Sequence, residues 1–139
     1  VENADEPRAE SLAEALAGRS LETTESLAKA VREAVHGDEE LLELTIRRVF
    51  QAIRIAVNEE FTALDAFLRV LPNCLKSGGR VAILTFHSGE DRRVKKAFQA
   101  GVRDGIYQEA CDGVITAGPE ERRMNPRSTP AKLRWAEKA

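Results

Sequence analysis

The chain has 139 residues, 42% of them hydrophobic, which suits one domain core or a small helical unit joined to part of a larger domain. Lys and Arg number 21 against 23 Asp and Glu, and a net charge of −2 excludes both a disordered acidic tail and a basic arm that holds nucleic acid by charge alone. No run approaches the roughly 18 apolar residues of a membrane span, and two cysteines, Cys74 and Cys111, are too few for a disulfide framework or a metal cage.

Composition shifts near residue 76, from glycine-poor sequence at helical spacing to shorter apolar runs rich in Gly and Pro. The pattern predicts a helical first half and an α/β second half. A first helix is expected from Asp5 or Glu6, with Pro7 in its first turn, the stripe Ala9, Leu12, Ala13 and Leu16, and Gly18 as its stop. A second begins at a Thr23 or Thr24 cap, buries Leu27, Val31, Ala34 and Val35, and closes at His36-Gly37. The third carries the stripe Leu42, Ile46, Val49, Phe50, Ile53, Ala56 and Val57, and Asn58 separates it from a fourth that runs to about Leu75. The fourth is expected to bury Phe61, Leu64, Phe67, Leu68 and Leu71. Lys76 to Arg80 reads as a glycine turn. The unbroken apolar run Val81 to Phe86 reads as a strand covered on both faces, as in a parallel sheet. Glu90 to Gln99 reads as a helix, acidic first and basic later. Val114 to Thr116 and Ala131 to Ala136 are short strands, the latter with Leu133 and Trp135 on one face.

Ligands in open α/β sheets sit beyond the carboxyl ends of strands, so Thr85-Phe86-His87-Ser88 is the first place to seek chemistry. His87 and Ser88 are neighbours on an extended strand and point apart, which argues against a Ser-His nucleophile. A metal site would need more ligands than His87 and the distant His36 supply, so no metal is expected. Two readings stay open: polar contact with a ligand by His87, Ser88 and Asp91, or a Ser88 helix cap with Glu90 and Asp91 complementing the dipole. A hydrolase built on His87 and Asp91 lacks a reachable partner. The loop from Asn125 to Arg134 has two prolines and the cations Arg127, Lys132 and Arg134, with Arg122 and Arg123 upstream. It is either a phosphate-binding element or a solvated basic turn. Arg54 and Asn58 flank the helix break and serve either ligand orientation or capping and packing. Gly78-Gly79 matches neither phosphate-loop pattern.

Three blocks carry a resemblance. Phe50 to Glu60 looks like F-Q-A-L-R-I-A-V-N-x-E-L. Gly78-Gly79-Arg80, followed by Thr85 to Arg92, looks like G-G-R…S-F-H-S-L-E-D-R. Asn125 to Ser128, followed by Ala131 to Arg134, looks like N-P-R-S-R-S-A-K-L-R. In order and spacing the chain resembles the S-adenosylmethionine-dependent methyltransferases that modify the exocyclic N4 of a cytosine in bacterial 16S ribosomal RNA. It departs from them at Thr85 for serine, Gly89 for leucine, Thr129 and Pro130 for arginine and serine, and in a short segment from Tyr107 to Gly118.

The resemblance implies a helical insert (residues 1–58) followed by the later strands of a Rossmann-like methyltransferase domain (residues 59–139), an α/β fold. It implies S-adenosylmethionine as cofactor of the intact enzyme. The family's glycine-rich donor loop has no counterpart in this chain, so no cofactor is expected for the chain alone, which is then inactive. Candidate substrate-pocket residues are Thr85, Phe86, His87, Ser88 and Asp91. Candidate RNA contacts are Asn125, Arg127, Lys132 and Arg134. Expected partners are ribosomal RNA or the small ribosomal subunit, a missing N-terminal portion preceding Val1, and a second copy in a homodimer through an exposed sheet edge. No membrane partner is expected. The sequence shows no signal peptide, so the expected compartment is the cytoplasm. The alternative is a stand-alone, non-catalytic relative that binds RNA or protein.

Overall fold

The computed structural model describes residues 5–139. The chain divides into two compact units, one ending at Glu59 and the other spanning Glu60–Ala139.

The first unit is helical: α1 (Ala9–Leu16), α2 (Thr24–Ala34) and α3 (Glu39–Val57). The first helix starts at Ala9 rather than at Asp5 or Glu6, because the Glu6 carboxylate accepts the Arg8 N–H at 3.1 Å and closes a local turn ahead of it. Glu6 is itself buried and paired with Arg48. Gly18, at φ 73°, turns the chain after α1. Thr23 caps α2 by accepting the Ser26 N–H at 3.1 Å, and the Ser26 hydroxyl oxygen accepts the Thr23 N–H in return. Leu12, Val31, Val35 and Ile46 form the core, with Leu42, Val49 and Phe50 packed on it. That core ends near Phe50. Beyond it the expected stripe of α3 is not buried: Ile53 is 44% and Val57 76% exposed, while Ile55, off the stripe, is 2% exposed. Asn58 separates α3 from the next helix as its C-cap, and Glu59 takes the left-handed conformation at φ 50°.

The second unit contains α4 (Glu60–Val70), a 3₁₀ turn (Leu71–Cys74), β1 (Arg80–Thr85), α5 (Ser88–Arg103), β2 (Tyr107–Ala110), β3 (Ile115–Thr116), α6 (Pro119–Met124), a second 3₁₀ turn (Pro126–Ser128) and β4 (Lys132–Lys138). The fourth helix stops short of Leu75 because Pro72 cannot donate an N–H to an α-helical ladder. Phe67, expected in the core, is 47% exposed. Strand β2 and helix α6 were not foreseen.

Strand order is β1-β4-β2, with β3 also on β4. Every recorded ladder is antiparallel to β4. The purely parallel sheet expected from the Val81–Phe86 run is therefore corrected. β1 and β2 run parallel to each other, but β4 lies between them in the opposite sense. Nor is β1 covered on both faces. Val81 and Ile83 join a core of Leu68, Leu71, Val94, Phe98, Tyr107 and Ala136, whereas Ala82 and Leu84 point outward. Leu84 is 54% exposed. The apolar run reflects an inner face packed by α5 and an outer face that no described element covers. Val94, 0% exposed, and Phe98, 2% exposed, each contribute roughly 1.5–3 kcal/mol through burial.

Candidate functional site

At the carboxyl end of β1 the side chains alternate as a strand requires. Thr85 turns inward, 5% exposed, and its hydroxyl donates to the Lys132 carbonyl at 3.3 Å. Phe86 turns outward and is 53% exposed. His87 then caps α5: its Nδ1 accepts the Glu90 N–H at 3.3 Å, and the Glu90 Oε2 accepts the Phe86 N–H at 3.0 Å. Each side chain satisfies one backbone donor; the cap is His87, and Ser88 is the first helical residue.

Glu60, His87 and Glu90 bring three donor atoms of metal-binding type within 4.8 Å of one another. His87 Nδ1 accepts the Glu90 N–H and Nε2 lies 3.2 Å from Glu90 Oε1, so two of these three residues also build the start of α5. The His87 ring also lies 5.6 Å from that of Phe61, centroid to centroid. Phe61 occupies the space beside Gly89, where an added Cβ would fall 2.6 Å from Phe61 Cζ. Gly89 is thus a close approach to an aromatic ring, and the apolar anchor beside the strand end is supplied by Phe61.

Asp91 and Arg134, expected in the substrate pocket and on RNA, are committed to each other. Arg134 Nε donates to Asp91 Oδ1 at 2.6 Å and its second terminal nitrogen to Oδ2 at 3.1 Å, with both residues buried. The carboxylate raises the already high pKa of the guanidinium. This forked pair clamps α5 to β4 and leaves neither group facing solvent. Lys132 lies half-buried with Nζ 3.9 Å from Asp91 Oδ2.

Phe86, Asn125 and Arg127 do come together. They line an open cavity of about 610 Å³ whose floor includes Leu84 and Leu133 from the uncovered sheet face. Ser128 fastens the loop: it is 6% exposed and its hydroxyl donates to the Asn125 carbonyl at 2.8 Å. Arg127 and the Asn125 side chain are exposed and make no side-chain hydrogen bond among the described residues. Glu121 completes the rim and was missed. Its signal was legible, since Pro119 at the first helical position with Glu120 and Glu121 behind it marks a helix start. Arg54, in the last turn of α3, and Asn58, its cap, belong to the other unit. The Asn58 N–H donates to the Arg54 carbonyl at 2.9 Å.

At the start of α5 the space beside Gly89 is filled by the Phe61 ring and the first-turn N–H of Glu90 is taken by His87, so this helix start is a poor cradle for a nucleoside-type methyl donor.

A helical unit followed by an α/β unit with a cavity at the strand ends is the architecture of the later part of a methyltransferase that carries a helical insert. The chain belongs to the MraW methylase family, whose model matches residues 2–139. It is 45% identical over its full length to "Ribosomal RNA small subunit methyltransferase H 1" of Lachnoclostridium phytofermentans, covering 41% of that protein. It is 43% identical, again over its full length, to "Ribosomal RNA small subunit methyltransferase H 2" of Alkaliphilus metalliredigens, covering 43% of it. Against "Ribosomal RNA small subunit methyltransferase H" of Acidobacterium capsulatum the identity is 41% over 96% of the chain and 46% of the relative. The chain therefore spans less than half the length of these curated relatives. Among the described residues no helix is long and apolar enough to cross a membrane.

Proposed function

We propose that the chain is the substrate-side portion of a cytoplasmic S-adenosylmethionine-dependent enzyme that methylates the N4 of a cytosine in small-subunit ribosomal RNA. The observation that carries this is the cavity at the carboxyl end of β1, where Phe86 meets the Asn125–Ser128 loop. An exposed ring at a sheet edge is a stacking surface for an extruded base. Arg127, exposed and uncommitted, holds the adjoining phosphate. His87 and Asp91 act as positioning residues, because they order the cap and clamp that hold Phe86 in place, and Ser88 opens the helix they fasten. The helical residues 1–58 are the insert, and residues 59–139 the later strands of the catalytic domain. The methyl donor, when bound, supplies an electrophilic carbon and is held by a portion of the enzyme outside this chain.

The test uses the intact methyltransferase acting on unmethylated small subunits. Phe86→Ala and Arg127→Ala are each expected to lower methylation at least tenfold, on the order expected for loss of a stacking or charged contact. Unchanged methylation in both variants overturns the reading. Calorimetric titration of S-adenosylmethionine into the 139-residue chain is expected to show no saturable binding, and one-to-one binding would contradict the placement of the donor site.

A further inference from the structure

We infer that Glu121 is a specificity-determining residue: at the rim of the Phe86 cavity, its carboxylate accepts the exocyclic amine of cytosine and rejects uracil. The inference rests on the proposed function and goes further by assigning the choice of base to one side chain.

Glu121 and Asn125 are four residues apart around the end of α6, which places them on one side of it, and both line the cavity that Phe86 and Leu84 floor. The helix is tethered at the cavity wall, where the Arg122 guanidinium donates at 3.0 Å to the hydroxyl of Thr116, which also lines the cavity. Four other acids of the second unit are already committed. Asp91 is bound by Arg134, Glu137 by Arg80 and Gln108, Asp65 by Arg93, and Glu90 by the Phe86 N–H. Glu121 has no such partner among the described residues, and it is the acid that lines this cavity.

The chemistry of that acid selects a base. An ionised carboxylate only accepts hydrogen bonds. Cytosine presents an amine at C4, which donates. Uracil presents a carbonyl oxygen at the same position, which would face the carboxylate lone pair to lone pair. The Asn125 amide, which donates as well as accepts, serves the ring N3 or O2 of cytosine. Phe86 stacks on either pyrimidine and does not discriminate.

The test is NMR titration of the 139-residue chain, its E121Q variant and its F86A variant with cytidine monophosphate and uridine monophosphate. Glutamine keeps the shape but can donate to the uracil carbonyl as well as accept. For the unaltered chain, cytidine monophosphate is expected to shift cavity resonances with roughly tenfold tighter binding than uridine monophosphate. E121Q is expected to bring the two affinities within about twofold, with spectra unchanged away from the cavity. F86A is expected to weaken both nucleotides alike. Equal binding of the two nucleotides to the unaltered chain, or a preference that survives in E121Q, overturns the role of Glu121 and leaves the cavity as a base site. If neither nucleotide perturbs the cavity, the base-site reading falls and the assignment of Glu121 falls with it.

Discussion

Gly89 illustrates how a single missing side chain shapes the end of β1. A Cβ there would sit 2.6 Å from Phe61 Cζ, 3.2 Å from Phe61 Cε1 and 3.3 Å from His87 Nδ1. Phe61 is held in turn, with the Arg93 guanidinium stacked 3.9 Å from its ring centroid. Gly89→Leu is expected to destabilise the chain by about 1–3 kcal/mol through overpacking. Adding Phe61→Leu should recover part of that loss. Urea unfolding of the single and double variants measures both, and a fully tolerated Gly89→Leu would show that the Phe61 ring can move aside. The ring delivered from α4 fills the space that a side chain at position 89 would take.

Between elements, the Asp91–Arg134 fork is the polar fastening of α5 to the sheet, beside the apolar packing of Val94 and Phe98. With both residues under a tenth exposed, the pair has lost most of its hydration. Removing one partner strands the other, so Asp91→Asn is expected to cost about 3–5 kcal/mol. The double variant Asp91→Leu with Arg134→Met leaves no unpaired charge and should cost clearly less. Thermal unfolding of the two variants separates these outcomes, and equal losses would show that packing, rather than the stranded charge, governs the site. The His87–Glu90 cap acts at the other end of the same connection. It satisfies the N–H groups of Phe86 and Glu90, so the chain leaves β1 with Phe86 turned toward the cavity.

At the scale of the whole molecule, two features govern behaviour in solution. Tyr107 is 4% exposed, edge-on to Phe98 at 5.5 Å, and burial pushes its phenol above the ordinary value of 10.0. The folded state therefore retains a proton that the unfolded chain releases. The stabilisation is complete below about pH 10 and is lost as the pH rises through the folded-state value. Tyr107→Phe keeps the ring and should flatten that alkaline loss. Denaturation curves at about pH 9 and about pH 11 check it, since parallel losses in both proteins would assign the effect to other groups. The second feature is β1, which pairs with β4 on one side and with no described strand on the other. We expect the isolated chain to self-associate through this edge, and Ala82→Lys, which puts a charge on its outward face, to shift it toward monomer. Sedimentation at several concentrations decides the matter, and a monomeric unaltered chain would refute the expectation.

Local signals determined much of the architecture. Helical periodicity, the Thr23 cap, the glycine turn at Gly78 and the strand at Val81 are written in neighbouring residues, and they appear in the structure near their expected places. Pro119 with its trailing acids was equally local and was passed over. The composition shift near residue 76 lies inside the second unit, because helix α4 packs with the sheet rather than with the helices before it. What the sequence could not carry was the pairing of distant segments. A run of apolar residues does not state whether its neighbour runs with it or against it, so only the insertion of β4 beside β1 made the sheet antiparallel there. The same holds at the candidate site. Asp91, Lys132 and Arg134 looked equally available to a ligand because charge and spacing say nothing of burial. The fold buried Arg134 on Asp91 across 43 residues of chain, left Lys132 half-buried beside that pair, and left Phe86, Glu121, Asn125 and Arg127 around one opening. Secondary structure follows from interactions a few residues long, whereas the choice between a clamp and a contact depends on which side chains lose their water together.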